Sequence, residues 1–134
     1  MLKRKITDTL CEWKADPQHK PLIIKGPRQC GKTFSVLDFA KNNYKNIIYL
    51  NFFENQSYKD IVADSLEVDD LIMYMSATAG PEISFEPGTT VIILDEIQEC
   101  PEARTALKFI HLDGRFDCIG TGSLLGVSGY RDNP

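Results

Sequence analysis

The chain has 134 residues, of which 43% are hydrophobic and 25% are charged, and its formal net charge is −4. This length allows one domain or part of one, and this composition supports a packed core and excludes a disordered chain. The acidic balance gives no overall electrostatic attraction for nucleic acid.

An amphipathic helix is predicted over residues 3–15, because apolar side chains (Ile6, Leu10, Trp13) recur there at helical spacing. An Asp-Pro pair ends this helix. We expect the N-terminal flanking segment, residues 1–20, to pack beside a sheet. The alternative role for this segment is a contact with the base of a nucleotide.

A strand predicted over residues 21–25 leads into the loop G-P-R-Q-C-G-K-T at 26–33, and a helix predicted over 32–42 follows. The pattern G-x-x-x-x-G-K-T between a strand and a helix is the phosphate-binding P-loop. Backbone N–H groups at such a helix N-terminus point into one concavity and replace the water around a triphosphate. The predicted phosphate-binding residues are Gly26, Pro27, Arg28, Gln29, Cys30, Gly31, Lys32, Thr33 and Phe34.

Individual roles follow from the chemistry of these side chains. Gly26 and Gly31 let the backbone approach the phosphates closely. Lys32 places a positive charge at the β- and γ-phosphates. Thr33 offers a hydroxyl to Mg²⁺, which protein groups hold together with phosphate and water oxygens.

The middle of the chain predicts a near-continuously apolar strand over residues 46–53, of the kind that is covered on both faces. Short helices are predicted over 58–65 and 68–76. A loop is predicted over 77–88, where Gly-Pro and Pro-Gly pairs occur.

A strand predicted over residues 89–94 runs directly into an acid pair, Asp95 and Glu96. In P-loop proteins, an Asp at the end of a buried strand lies beside Mg²⁺, so Asp95 is the second predicted metal residue with Thr33. Glu96 would be the catalytic residue that orients and deprotonates a water molecule. The alternative is a solvated strand end, since strands often end in acids.

A helix beginning at Pro101 and ending near residue 111, and a strand over 116–120, complete the predicted elements. Thr121 and Ser123 follow that strand. Because ligands of open α/β sheets bind at the carboxyl ends of strands, either residue could sense the γ-phosphate or the attacking water. The alternative is a Gly-rich turn without a role.

The four cysteines (Cys11, Cys30, Cys100, Cys118) form no C-x-x-C pair, so we expect reduced thiols rather than disulfides or a zinc site. No apolar run of signal-peptide length follows the basic N-terminus, and no stretch has the length of a membrane span. We therefore expect a cytoplasmic protein without a membrane partner.

Four segments together resemble prokaryotic AAA-type ATPases that carry a C-terminal restriction-endonuclease-like domain of unknown function. The segments are G-P-R-Q-C-G-K-T, L-N-F-F-E-N at 50–55, V-I-I-L-D-E-I-Q-E-C-P at 91–101 and G-T-G-S-L-L-G-V at 120–127. The resemblance implies a three-layer α/β/α P-loop NTPase core with a mostly parallel sheet over residues 1–134. It also implies ATP and Mg²⁺ as ligands, with Glu96 as the base and Thr121 or Ser123 as the sensor.

Proteins of this family continue with a fifth strand, a helical lid and the second domain, so we expect residues 1–134 to be a truncated core. The P-loop strand would then be an exposed apolar edge, which is a liability unless something covers it. The last residues of the chain, a partner chain or the missing C-terminal domain would do so. The arginines considered for a charge-neutralising role are Arg28, Arg115 and Arg131.

The leading functional interpretation is ATP binding followed by Mg²⁺-dependent hydrolysis. The first alternative is a nucleotide-binding module or switch with little turnover, because the lid, the arginine finger and the C-terminal domain are absent. A P-loop small-molecule kinase is less favoured, since it would not need a water-activating Glu directly after Asp95. The sequence contains no zinc ligands, aromatic-basic interleaving or recognition helix that would indicate direct nucleic-acid binding.

Overall fold

The computed structural model of the chain describes residues 2–27, 31–80 and 84–123. The elements in chain order are α1 (Leu2–Ala15), β1 (Leu22–Gly26), α2 (Lys32–Asn43), β2 (Asn46–Asn51), α3 (Tyr58–Asp64), α4 (Val68–Ala79), β3 (Thr90–Asp95), one 3-10 turn (Ile97–Glu99), α5 (Pro101–Asp113) and β4 (Asp117–Ser123).

The four described strands form one parallel sheet in the order β1-β4-β3-β2. Parallel neighbours need crossover connections, and here helices supply them, so both faces of the sheet are covered. Every residue of β3 is buried, which explains its continuous apolar run. The predicted α/β P-loop NTPase core is confirmed, and β4 lies between the P-loop strand and the strand that ends in Asp95.

Alternation along β3 divides the core into two clusters, one on each face of the sheet. Ile92 and Leu94 pack into the cluster that contains residues of α3, α4 and α5. Val91 and Ile93 pack into the opposite cluster, with residues of α1 and α2. The fold therefore has three layers.

Helix α1 buries the three apolar side chains that predicted it, Ile6, Leu10 and Trp13. The indole N–H of Trp13 donates a hydrogen bond of 2.6 Å to the carbonyl oxygen of Lys20, which ties the helix to the segment before β1. Among the described helices, none combines the length and apolar character needed to cross a bilayer.

Within the described part of the sheet, β1 pairs with β4 only. Ile24 is buried between the sheet and its helices, whereas Leu22 and Ile23 are half-buried. The P-loop strand therefore stands at one edge of the described sheet. The expectation that the last residues cover this edge falls on 124–134, which lie outside the described residues.

Three predicted boundaries were wrong. β4 extends three residues beyond 120, because pairing with β1 continues to Gly26 opposite Ser123. β2 ends at Asn51 rather than 53, because the Asn51 side-chain oxygen accepts hydrogen bonds of 2.9 Å from two following N–H groups and forms a turn. α4 continues to Ala79 instead of yielding to a loop at 77, and it ends at Gly80, whose φ is 100°.

The cysteines described by the structure, Cys11, Cys100 and Cys118, are free thiols, as predicted, and Cys30 lies outside the described residues. Burial, and secondarily the charge of Asp117, raises the pKa of Cys118. This thiol is therefore a packing group rather than a reactive one.

Leu107 and Leu112 on α5 offer a matched test of the core, since their exposed fractions are 2% and 68%. We expect Leu107→Ala to lower the free energy of unfolding by about 2–5 kcal/mol, because it leaves a cavity over the sheet. Leu112→Ala should change it by about 0.5 kcal/mol or less. Urea unfolding followed by circular dichroism checks both, and equal effects would contradict the assignment of the core.

Candidate functional site

The P-loop brings β1 and α2 together at the carboxyl end of the sheet. Gly31 precedes α2 with a φ of 89°, a left-handed conformation that favours glycine. The carbonyl oxygen of Gly31 accepts the first bond of the helix from the N–H of Ser35, at 2.9 Å. The first N–H groups of a helix have no partner within the helix itself, which makes this helix end suitable for an anion. Residues 28–30 (Arg28, Gln29, Cys30) lie outside the described residues.

Lys32 is almost completely buried, with 3% of its surface exposed. Its ammonium donates to the hydroxyl oxygen of Ser123 at 3.2 Å and to the carbonyl oxygen of Pro27 at 3.5 Å. In the described ranges, no carboxylate lies within ion-pair distance of this ammonium. A buried charge with only neutral partners is costly, and an anionic ligand would complete its environment.

Other predicted P-loop residues contribute backbone groups. Pro27 has no N–H to offer a phosphate, and its carbonyl oxygen instead holds Lys32. The side chain of Phe34 is 60% exposed, and the residue lies in the first turn of α2. Gly26 ends β1 opposite Ser123 of β4.

The Asp95 carboxylate is buried and surrounded by neutral donors. The Thr33 hydroxyl lies 3.1 and 3.3 Å from its two oxygens, and the hydroxyls of Tyr49 and Thr121 each donate to one of them. The Asn51 amide contacts it at 3.4 Å. Burial, followed by the bond to Asp95, raises the pKa of Tyr49, so this hydroxyl remains a donor.

Glu96 adopts a left-handed conformation, with φ 58° and ψ 50°, alone among the described non-glycine residues. Its N–H donates to the hydroxyl oxygen of Thr121 at 3.1 Å. Its carboxylate oxygen Oε1 accepts from the Ser123 hydroxyl at 2.9 Å and from the Gln98 amide at 2.7 Å. Such a conformation costs free energy and occurs often at functional positions, where surrounding contacts maintain it.

The two sensor candidates occupy different places. Thr121 and Ser123 are two residues apart on β4, so both face the same side, and both are fully buried. Thr121 contacts the acid pair, whereas Ser123 joins Lys32 to Glu96. The sequence predicted one residue or the other as the sensor, whereas the structure places both in the candidate site.

The structure adds three residues that sequence reasoning did not assign, Tyr49, Asn51 and Gln98. Tyr49 and Asn51 are two residues apart on β2, and Asn51 is in register with Asp95 of β3. Gln98 follows the acid pair in the D-E-I-Q segment. Polar residues at the carboxyl end of a predicted apolar strand were the available signal for Tyr49 and Asn51.

The described residues include no group of three His, Cys, Asp or Glu side chains that could hold a metal ion by themselves. Thr33 and Asp95 do supply two hard oxygen donors 3.1 Å apart. Mg²⁺ commonly uses few protein oxygens and completes its shell with water and phosphate. This pair therefore fits Mg²⁺ shared with a nucleotide and does not fit an all-protein metal cage.

A family model described as AAA domain matches residues 18–129, which include the P-loop, the acid pair and both sensor candidates. The chain belongs to this AAA domain family. It is accordingly a nucleotide-binding module of the ATPase type, as the resemblance implied.

Among solved structures, 23 chains match this AAA domain. One is the structure of PCH-2 from C. elegans, with 14% identity and a TM-score of 0.55 over 96% of this chain and 39% of that chain. The AAA domain thus spans well under half the length of that protein, and the likeness shows the fold alone. The curated proteins contained no match.

Thr121→Val tests the hydroxyl that joins the acid pair to β4. The valine keeps the shape but leaves the Glu96 N–H without its acceptor, so we expect the free energy of unfolding to fall by about 1–3 kcal/mol. Thr9→Val is the control, since among the described residues the exposed Thr9 hydroxyl bonds only the Lys5 carbonyl oxygen of its own helix. Urea unfolding of both variants checks this, and an unchanged midpoint for Thr121→Val would contradict it.

Proposed function

We propose that this AAA domain binds ATP with Mg²⁺ and hydrolyses it, with Glu96 as the general base. The observation that carries the proposal is the hydrogen-bonded path from Lys32 through the Ser123 hydroxyl to the Glu96 carboxylate. A phosphate-binding cation and a carboxylate suited to activate water are thereby joined by one side chain.

Binding of the triphosphate rests on Lys32 and the first turn of α2. The ammonium is buried and lacks a described carboxylate partner, so the γ-phosphate would supply the missing negative charge. The N–H groups after Gly31 would donate to phosphate oxygens without needing to reorganise. These features favour a ligand with several anionic oxygens.

Thr33 and Asp95 would hold Mg²⁺. When bound, the ion would neutralise charge on the β- and γ-phosphate oxygens. Before binding, the Thr33 hydroxyl donates to Asp95, whose other donors, Tyr49 and Thr121, hold the carboxylate in place. Asp95 is therefore positioned by the protein alone.

Glu96 is suited to act on water. One carboxylate oxygen accepts two hydrogen bonds, while the other accepts none from the described residues. That second oxygen would take the proton of a water whose oxygen attacks the γ-phosphorus as the bond to the β-phosphate oxygen breaks. The products would be ADP and phosphate.

A specific observation also favours the alternative of a nucleotide-binding switch with little turnover. The guanidinium of Arg115 lies 2.7 Å from both Asp69 and Asp113, and Arg115 precedes β4, whose opposite end carries Ser123. At the usual rise per residue, the strand separates the two ends by about 20 Å. Arg115 therefore cannot neutralise charge at the P-loop site of the same chain. The other two arginines with this predicted role, Arg28 and Arg131, lie outside the described residues.

Lys32→Ala tests the binding of the triphosphate. We expect the Kd for Mg²⁺-ATP to rise about 10- to 100-fold, because a charge-assisted bond is lost. Lys41→Ala, an exposed change on the same helix, should leave the Kd unchanged. Isothermal titration calorimetry measures both, and an unaltered affinity in Lys32→Ala would contradict phosphate binding at this loop.

Glu96→Gln tests hydrolysis separately from binding. We expect nucleotide affinity to be retained and turnover to fall about 100-fold or more, since the amide cannot take a proton. The control is Glu102→Gln, an exposed change in the first turn of α5. Phosphate release should be equal to wild type in the control. Equal rates in Glu96→Gln would overturn the base assignment, and a wild type that binds ATP without phosphate release would support the switch.

A further inference from the structure

We infer that Gln98 is the positioning residue of Glu96, which fixes the carboxylate for the activation of water; this rests on the proposed hydrolysis. The Gln98 amide lies between the candidate base and β4. Its Nε2 donates to Glu96 Oε1 at 2.7 Å, and its Oε1 accepts from the N–H of Ser123 at 3.1 Å. Both ends of the amide are therefore in use.

The chemistry of the two partners determines the orientation of this amide. The Ser123 N–H can only donate, and an ionised Glu96 carboxylate can only accept. A rotation of the amide by 180° would place two donors together at one end and two acceptors together at the other. The network therefore has one satisfied arrangement, which holds Glu96 in one orientation.

The backbone that carries Gln98 is itself anchored in the core. Gln98 is the middle residue of the 3-10 turn Ile97–Glu99, and the Ile97 side chain is 2% exposed. A Cβ at Gly120 would lie 3.4 Å from the Ile97 Cδ1 atom, so the turn packs tightly on β4 where β4 has no side chain. This packing fixes the backbone position of Gln98.

Gln98 and Ser123 both donate to the same oxygen of Glu96, Oε1. The two bonds restrict rotation of a side chain that would otherwise be flexible, and they leave Oε2 without a bond from the described residues. Orientation of this kind lowers the barrier of a reaction with a positioned water.

Gln98 differs from Ser123 in its relation to Lys32. The Ser123 hydroxyl accepts from Lys32 and donates to Glu96, so a phosphate that attracts Lys32 would alter the bonds of that hydroxyl. The Gln98 amide makes no bond to Lys32. Gln98 therefore maintains the orientation of Glu96 when the nucleotide is bound.

Gln98→Met keeps the length of the side chain and removes both amide groups. We expect kcat for ATP to fall about tenfold, while KM and the Kd for Mg²⁺-ATP stay within about twofold of wild type. Gln56→Met is the matched control. Within the described part of the chain, its amide donates only to the carbonyl oxygens of Phe52 and Phe53, so kcat should not change. A kcat equal to wild type in Gln98→Met would overturn the inference while leaving hydrolysis intact.

A second comparison separates positioning from a general loss of structure. In the Glu96→Gln background, we expect Gln98→Met to change turnover by less than about twofold, because its effect passes through the Glu96 carboxylate. An equal tenfold loss in both backgrounds would show that Gln98 acts by another route.

A measurement that needs neither turnover nor a Gln98 variant completes the test. In ¹⁵N-labelled protein, we expect the Gln98 side-chain amide signals to shift when Glu96→Ala removes their acceptor, while the Gln56 amide signals remain in place. Unmoved Gln98 signals would refute the contact. If wild type releases no phosphate and the Gln98 signals still shift in Glu96→Ala, the proposed hydrolysis is refuted and the contact between Gln98 and Glu96 is supported.

Discussion

The Lys32 side chain is buried inside the protein, with only the oxygens of Pro27 and Ser123 as described hydrogen-bond partners. This arrangement requires β1 and β4 to be neighbours, because the loop begins where β1 ends and Ser123 lies opposite Gly26. Both partners are oxygen atoms that accept hydrogen bonds, which lowers the cost of burying the Lys32 side chain. The proposed recognition of phosphate by Lys32 and the proposed role of Ser123 both depend on this contact.

The acid pair is organised by the same register. Asp95 ends β3 between Asn51 on one neighbouring strand and the polar end of β4 on the other, so hydroxyl and amide donors converge on its carboxylate. Glu96 leaves the strand in a left-handed conformation, and the Thr121 hydroxyl accepts its N–H. The strain at Glu96 is thus offset by hydrogen bonds that also orient its side chain.

Several features were predictable because they depend on local pattern. The P-loop needs only glycines, a lysine and a threonine at a set spacing between a strand and a helix, and buried parallel strands read as apolar runs. The strand that ends in Asp95 and Glu96 is such a run, so the sequence could predict roles for Lys32, Thr33 and the acid pair. The rule that ligands bind at the carboxyl ends of strands then predicted Thr121 or Ser123 as the sensor.

The sequence by itself determined the α/β class, the P-loop and the identity of the acid pair, because short-range spacing encodes them. Only the tertiary structure decided that Ser123 links Lys32 to Glu96, that Tyr49 donates to Asp95 and that Gln98 donates to Glu96. Most of these bonds join residues far apart in the chain, so they depend on strand order and register. The Gln98 contact is local, yet it depends on a left-handed residue and a 3-10 turn packed on Gly120, which no periodicity indicates.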